Sequence, residues 1–258
     1  MAEALIRGII AADLCKPQDI LVSDIKAERL DHLARQYHVT GLPSNADLAA
    51  KADVVVLSVK PQNMGDALNS IKTAIGRYKL VISIAAGIKV AGISAVLGNI
   101  PIVRVMPNTP ALVGEGASAM FANEPAKPLL SIAEKIFSAV GKTVILDDEA
   151  LIDAVTALSG SGPAYFFLLM EEMIKTGIAL GLPDDIAKDL VLQTAKGAGV
   201  LAVEADKLGQ SPADLRRKVT SPGGTTEAAL RAFAQANFSD IVAQALRAAC
   251  NRSRELSA

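Results

Sequence analysis

"DVVVLSVKPQ" (residues 53–62) reads as a β-strand that is apolar on both faces and ends at a proline. Its valine run favours the extended backbone, and Pro61 turns the chain directly afterwards. A strand with no polar face belongs in a sheet covered on both sides, as parallel α/β sheets are. Working outward, "KLVISIAAG" (79–87) and "IPIVRVM" (100–106) repeat the pattern, with helical stretches around 63–75 and 90–97 between them. Two weaker strands, near 117–121 and 143–146, bracket a helix from about 128 to 139. Upstream, "MAEALIRGII" (1–10) has helical spacing, since Leu5 and Ile9, like Ile6 and Ile10, lie four apart. "DILVSD" (19–24) is a short apolar run closed by an acid. Residues 1–147 therefore predict a doubly wound α/β domain built on a parallel sheet.

After "LDDE" (146–149) the pattern changes to helices alone. "GPAYFFLLMEEMIKTGIALG" (162–181) has Pro163 near its first turn and Gly181 past its end, the usual asymmetry of helix termini. "DDIAKDLVLQTAKGAGVLAVEAD" (184–206) is a second long helix, "SPADLRRKV" (211–219) opens with Ser211 as N-cap and Pro212 at N1, and a last helix covers about 238–255. Residues 148–258 form an all-helical second domain. No low-complexity linker separates the two, so the boundary near residue 148 is expected to be tightly packed.

Composition removes several function classes. With 26 basic and 27 acidic residues the net charge is -1, so there is no single-sign field to attract nucleic acid or an anionic membrane. No basic stretch followed by an apolar one opens the sequence, so a secretory leader is not expected, and no uninterrupted apolar run approaches a membrane span. Cys15 and Cys250 lie at opposite ends and read as free thiols, which suits a cytoplasmic location. His32 and His38 sit in a polar stretch and read as surface residues; with no metal-ligand spacing elsewhere, no metal is expected.

What stands out instead is a set of loops at element junctions. "SVKPQ" (58–62), "AAGI" (85–88) and "MPNTPA" (106–111) end three successive strands, at the carboxyl edge where open α/β sheets bind ligands. Each alone is an ordinary turn between strand and helix; three in series point to one extended ligand. "SGSGPAY" (159–165) is balanced between a helix start capped by Ser161 and a functional loop. "TSPGGTTEAAL" (220–230) is sharper, because Pro222, Gly223 and Gly224 lead into a helix near Thr226, and successive amides plus the helix dipole make a place for a carboxylate or phosphate.

In their order and spacing, "SVKPQ", "IAAGI", "RVMPNTPALVGEG", "SGSGPAYFF", "VTSPGGTTEAAL" and "RSREL" closely resemble the pyrroline-5-carboxylate reductases, the last enzymes of proline biosynthesis. The resemblance spans essentially the whole chain, and "SPGGTT" is its specific motif. It implies a Rossmann-like domain binding NADPH or NADH, a helical domain that makes an interlocked homodimer, assembly in many members into five dimers, and 1-pyrroline-5-carboxylate as the small-molecule substrate. Carried over position by position, Asn45, Ser58, Val59, Lys60 and Pro61 face the adenosine and pyrophosphate part of the cofactor. Ile84, Ala85, Ala86, Met106, Asn108 and Thr109 lie along its nicotinamide side. The amides from Ser221 through Gly223, Gly224 and Thr225 to Thr226 hold the substrate carboxylate, and the Thr226 hydroxyl meets the ring nitrogen. Glu149 aligns with a position near the substrate, and Lys218 with one that reaches a cofactor across the dimer.

Two departures from the family stand out. Many members have an arginine shortly after the second strand, where this chain reads "SDIKAERL" (23–30). Asp24 favours a free ribose hydroxyl, whereas Ser23, Lys26 or Arg29 suit a 2′-phosphate, leaving both nucleotides open. Members also begin with a strand and a glycine-rich turn, whereas Met1 stands where that turn ends. The expectation is a start placed at an internal methionine, the competing explanation being a shortened and non-catalytic dimerising chain. A hydroxy-acid dehydrogenase of related architecture is the rival enzyme: Lys175, Lys188 and Lys196 offer its helical lysine, but it leaves "SPGGTT" unexplained.

Overall fold

The computed structural model describes residues 1–257. The chain divides into two compact units, one of Met1–Pro163 together with the chain from Ala248 onward, the other Ala164–Arg247.

The first unit is Rossmann-like. Strands β3 (Val54–Leu57), β4 (Leu80–Ser83) and β5 (Ile102–Met106) are parallel neighbours, with Val55 opposite Val81 and Val81 opposite Ile102. Their side chains alternate between two cores. Val55, Leu57, Val81 and Ile102 pack with Met64, Leu68 and Ile71 of α4 (Met64–Ile71) and with Val90 and Ile93 of α5 (Val90–Leu97). Leu80, Ile82, Val103 and Val105 pack with Leu5 of α1 (Ala2–Ala11) and Phe137 of α6 (Leu130–Ser138) on the other face. Both faces are covered, which is why these strands carry no polar alternation.

The sheet is not wholly parallel, contrary to the expectation from its strand pattern. β6 (Gly116–Ala122) runs antiparallel to β5, with Val105 opposite Met120, and β7 (Gly141–Ile145) then pairs parallel with β6 after the α6 crossover. The cause is chain length: the connection from β5 to β6 holds little more than the 3₁₀ turn Thr109–Val113, too short for a parallel crossover. A separate two-stranded parallel sheet joins β1 (Leu21–Val22) to β2 (Thr40–Gly41), linked by α2 (Ala27–Tyr37). Neither β1 nor β3 has a second strand partner among the described residues.

Helix α1 is tied to α2 by a charged cluster. Arg29, His32 and the Tyr37 hydroxyl all reach the Glu3 carboxylate, Tyr37 at 2.9 Å. Chiefly through Arg29, and then Tyr37, the Glu3 carboxyl is held at about 2 rather than 4.5. A carboxyl with a depressed folded-state pKa contributes stability above its unfolded value and loses it as pH falls through the folded one. Glu3→Gln should therefore be less stable than the native chain by a margin that is constant above about pH 5 and vanishes towards pH ~2. Urea unfolding at a series of pH values checks this; a margin that persists at the acid end assigns the effect to packing.

Short α3 (Asn45–Lys51) is capped at both ends. Ser44 Oγ accepts the Asp47 amide, and the Lys79 ammonium donates to the carbonyls of Ala49, Ala50 and Ala52 at 2.7, 2.7 and 2.8 Å. A cation on the last carbonyls satisfies groups the helix cannot satisfy itself.

The second unit is helical: α8 (Gly162–Ala179), α9 (Asp184–Asp206), α10 (Pro212–Lys218), α11 (Thr225–Gln235) and α12 (Phe238–Leu256), of which α8 and α12 each extend into the first unit. Ser211 caps α10 in a capping box with Asp214. These helices bury little by themselves: Ala187 and Ala205 are the buried residues of α9, and α10 and α11 have none. Phe166, Phe167 and Val203 remain 65%, 59% and 62% exposed. One helical run, Glu149–Ala179, is long enough to cross a membrane and contains an 18-residue window with a mean hydropathy of 1.2, 17% of that window being buried within the chain. Glu171 and Glu172 lie within it, both paired to Lys175, at 2.7 and 2.8 Å.

Candidate active site

In the first unit, the order β3-β4-β5 makes the three strand-end loops consecutive along one edge of the sheet. After β3, Ser58 and Val59 are half-buried, Lys60 is exposed, and Pro61 opens a single 3₁₀ turn, Pro61–Asn63. After β4, Ala85 is buried, Ile84 and Ala86 are half-buried, and Gly87 takes a φ of +74°, a left-handed conformation that suits glycine. After β5 come Met106, Asn108 and the exposed Thr109. Small residues and turns at this edge leave the backbone open to a flat ligand, the arrangement a dinucleotide requires.

Asn108 is 9% exposed and works as a bracket. Its Oδ1 accepts the Ala117 amide at 2.9 Å and its Nδ2 donates to the Ser159 carbonyl at 3.1 Å. Residues 156–160 form a π-helical turn, and a Cβ on Gly160 would lie 2.5 Å from Met106 Cε. The "SGSG" stretch thus starts with residues that fix the loop after β5, and Ser161 closes the π-helical turn, its amide donating to the Thr156 carbonyl at 2.8 Å. Beyond β1, Ser23 Oγ donates to Asn45 Oδ1 at 2.7 Å, and Asn45 Nδ2 donates to Ser70 Oγ at 3.0 Å, so two of the sequence-predicted residues come together. Arg29 is committed to Glu3, and Asp24 Oδ1 accepts the Lys26 amide at 2.9 Å.

Glu149 holds the edge together. Its Oε1 accepts the Val90 amide at the start of α5 and the Arg104 Nη1, both at 2.9 Å. The Arg104 side chain is only 3% exposed, and its Nη2 is buried without a partner. Sequence reasoning missed Arg104 by counting it as part of a strand. The available signal was a lone cation inside an otherwise apolar central strand, which must find an anion to be tolerated there.

In the second unit, Ser221, Pro222, Gly223 and Gly224 wrap into α11, with Gly223 at a φ of +71° and Gly224 as N-cap. A Cβ on Gly224 would come 2.5 Å from Ser221 Oγ and 3.1 Å from the Ser221 carbonyl oxygen, so a larger residue there would displace the Ser221 hydroxyl. The Gly223 amide donates to Glu227 Oε2 at 2.7 Å. The loop therefore already holds a carboxylate oxygen, at the positive end of a helix whose first two residues are Thr225 and Thr226. Lys218, at the end of α10, is exposed and bonds the Gln210 side chain.

Residues 149–256 match the family described as pyrroline-5-carboxylate reductase dimerisation, and residues 1–87 match NADP oxidoreductase, coenzyme F420-dependent. A pyrroline-5-carboxylate reductase of Pseudomonas aeruginosa is 48% identical, over 100% of this chain and 93% of its own length. The solved pyrroline-5-carboxylate reductase of Coxiella burnetii is 40% identical with a TM-score of 0.93, covering 100% of this chain and 95% of its own. The pyrroline carboxylate reductase of Plasmodium falciparum, solved with NADP bound, is 33% identical with a TM-score of 0.86, over 99% and 94%. A dimerisation match across the helices that expose so much apolar surface, together with full-length likeness in sequence and fold, shows that the chain belongs to the pyrroline-5-carboxylate reductase family.

Proposed function

We infer that the chain reduces 1-pyrroline-5-carboxylate to proline with NADPH or NADH, the closing step of proline biosynthesis. The observation that carries the chemistry is the Gly223 amide at the start of α11, which holds a carboxylate oxygen of Glu227 at 2.7 Å. The substrate carboxylate takes the amides of Ser221, Gly223, Gly224, Thr225 and Thr226 in that place, displacing Glu227. When bound, the nicotinamide supplies a hydride to the imine carbon, and the ring nitrogen becomes a secondary amine. The Thr226 hydroxyl steadies that nitrogen. A cyclic imine arrives partly protonated, so no strong acid is needed and alignment does most of the work.

On the first unit, Ser23, Asn45, Ser58, Val59, Lys60 and Pro61 take the adenosine and pyrophosphate part of the nucleotide. Ile84, Ala85, Ala86, Met106, Asn108 and Thr109 line its nicotinamide side, and Lys218 reaches a nucleotide across the dimer. Glu149, with one oxygen committed to Val90 and Arg104, belongs to the substrate side. We place the working boundary between nucleotide and helical domains at residues 147 and 148, close to the start of the dimerisation match at 149. The protein works in the cytoplasm, where Cys15 and Cys250 stay as free thiols, and five dimers are its full assembly.

Titrating the purified chain with NADH and with NADPH, then adding 1-pyrroline-5-carboxylate and following nucleotide oxidation, tests the activity. Nucleotide binding without turnover excludes the reductase assignment.

The homodimer makes its own prediction. With Phe166, Phe167 and Val203 more than half exposed, the helical unit needs a second copy to cover it. Light scattering at micromolar concentration should show no monomer, and Phe167→Asp should weaken association and precipitate the chain; a stable monomer contradicts this.

A further inference from the structure

The loop of residues 84–88 is held at its ends by Ile84 and Ile88, each packed against one of the two cores, and carries no long side chain between them. Between them Ala85 buries only a methyl, and Ala86 and Gly87 offer little beyond backbone, so the position of 86–87 depends on what surrounds it. One neighbour is the end of α12. A Cβ built on Gly87 would lie 2.9 Å from the Leu256 carbonyl oxygen and 3.3 Å from Leu256 Cβ, which places that final turn directly against the loop.

The turn is itself anchored from far away in the chain. Ser253, 5% exposed, donates its hydroxyl to Asp153 Oδ1 at 2.6 Å, across 100 residues of sequence. Ser257 Oγ donates to the Ser253 carbonyl at 2.9 Å and closes the turn. Asp153 belongs to α7 (Ile152–Val155), just beyond Glu149, whose Oε1 accepts the Val90 amide past the other end of the loop. The same short segment, 149–153, thus fixes both sides of 84–88: directly at Val90, and through Ser253 and Leu256 at Gly87.

We propose that Asp153 and Ser253 are positioning residues for the dinucleotide: their buried hydrogen bond sets the end of α12, which through Leu256 sets the backbone of residues 85–87 against which the nicotinamide lies. This rests on the assignment of Ile84, Ala85 and Ala86 to the nicotinamide side. A short bond between a hydroxyl and a carboxylate that is 8% exposed is charge-assisted, and it orders the loop before the ligand arrives.

The experiment uses the full chain and reads NADH and NADPH dissociation constants by fluorescence without substrate, beside KM and kcat. Ser253→Ala is expected to weaken nucleotide binding about ten-fold while KM for the imine stays within about two-fold, and Ser253→Thr, which keeps the hydroxyl, should restore it. A lowered Tm with unchanged nucleotide affinity marks a merely structural bond and overturns the proposal. Should Ser253→Ala not be recovered folded, Ser257→Ala serves, with a roughly three-fold weakening expected and no change counting against the clamp. Ala86→Leu separates the two layers of inference. If it abolishes nucleotide binding while Ser253→Ala is silent, the clamp alone fails; if both are silent, the nicotinamide assignment fails with it.

Discussion

Replacing Thr226 by alanine lowers kcat for 1-pyrroline-5-carboxylate about ten-fold and leaves nucleotide affinity unchanged. The hydroxyl stands in the first turn of α11, beside the loop we propose takes the substrate carboxylate. A hydrogen bond there is worth ~1–2 kcal/mol, or roughly 5- to 30-fold in rate. Because the nitrogen becomes a stronger hydrogen-bonding partner as it turns from imine to amine, the loss falls on kcat as well as KM. Thr226→Ser keeps the hydroxyl and should recover most of the rate. Steady-state kinetics equal to the native enzyme in Thr226→Ala would remove the residue from the reaction.

Glu149→Ala should cost the largest share of stability of any single change at the sheet edge, about 3 kcal/mol. Truncating the carboxylate leaves the Arg104 guanidinium, 3% exposed and already short of one partner, as an uncompensated buried charge. It also strips the first amide of α5 of its acceptor. The figure sits at the low end for buried pairs because the Glu149 side chain keeps 21% exposure. Glu149→Gln, which retains an oxygen for both donors, should lose less, and Arg104→Met combined with Glu149→Ala should recover much of the deficit. Urea denaturation of the set decides it; equal losses for Glu149→Ala and Glu149→Gln would show that an acceptor oxygen without the charge does nothing at this site.

The sequence by itself determined the elements and much of the chemistry. The covered strands at 54–57, 80–83 and 102–106 announce themselves by β-branched runs without polar alternation, and the helices from 162 onward by spacing and termini. The loop into α11 is equally local: a proline, two glycines and two threonines at a helix start leave few alternatives to an anion-holding turn. Such features depend on residues within a turn or two of one another, so they are written where they act.

Tertiary structure alone decided which distant groups became partners. Nothing in "IPIVRVM" says that Arg104 meets Glu149, nothing in "RSREL" that Ser253 meets Asp153, and nothing in "MPNTPA" that Asn108 clamps Ala117 to Ser159. The reversal of β6 belongs to the same class, since strand direction follows from how far the connecting chain can reach once β5 is in place. A buried polar group requires a partner but does not specify one; the choice falls to whichever donor or acceptor the packed helices and sheet bring within about 3 Å.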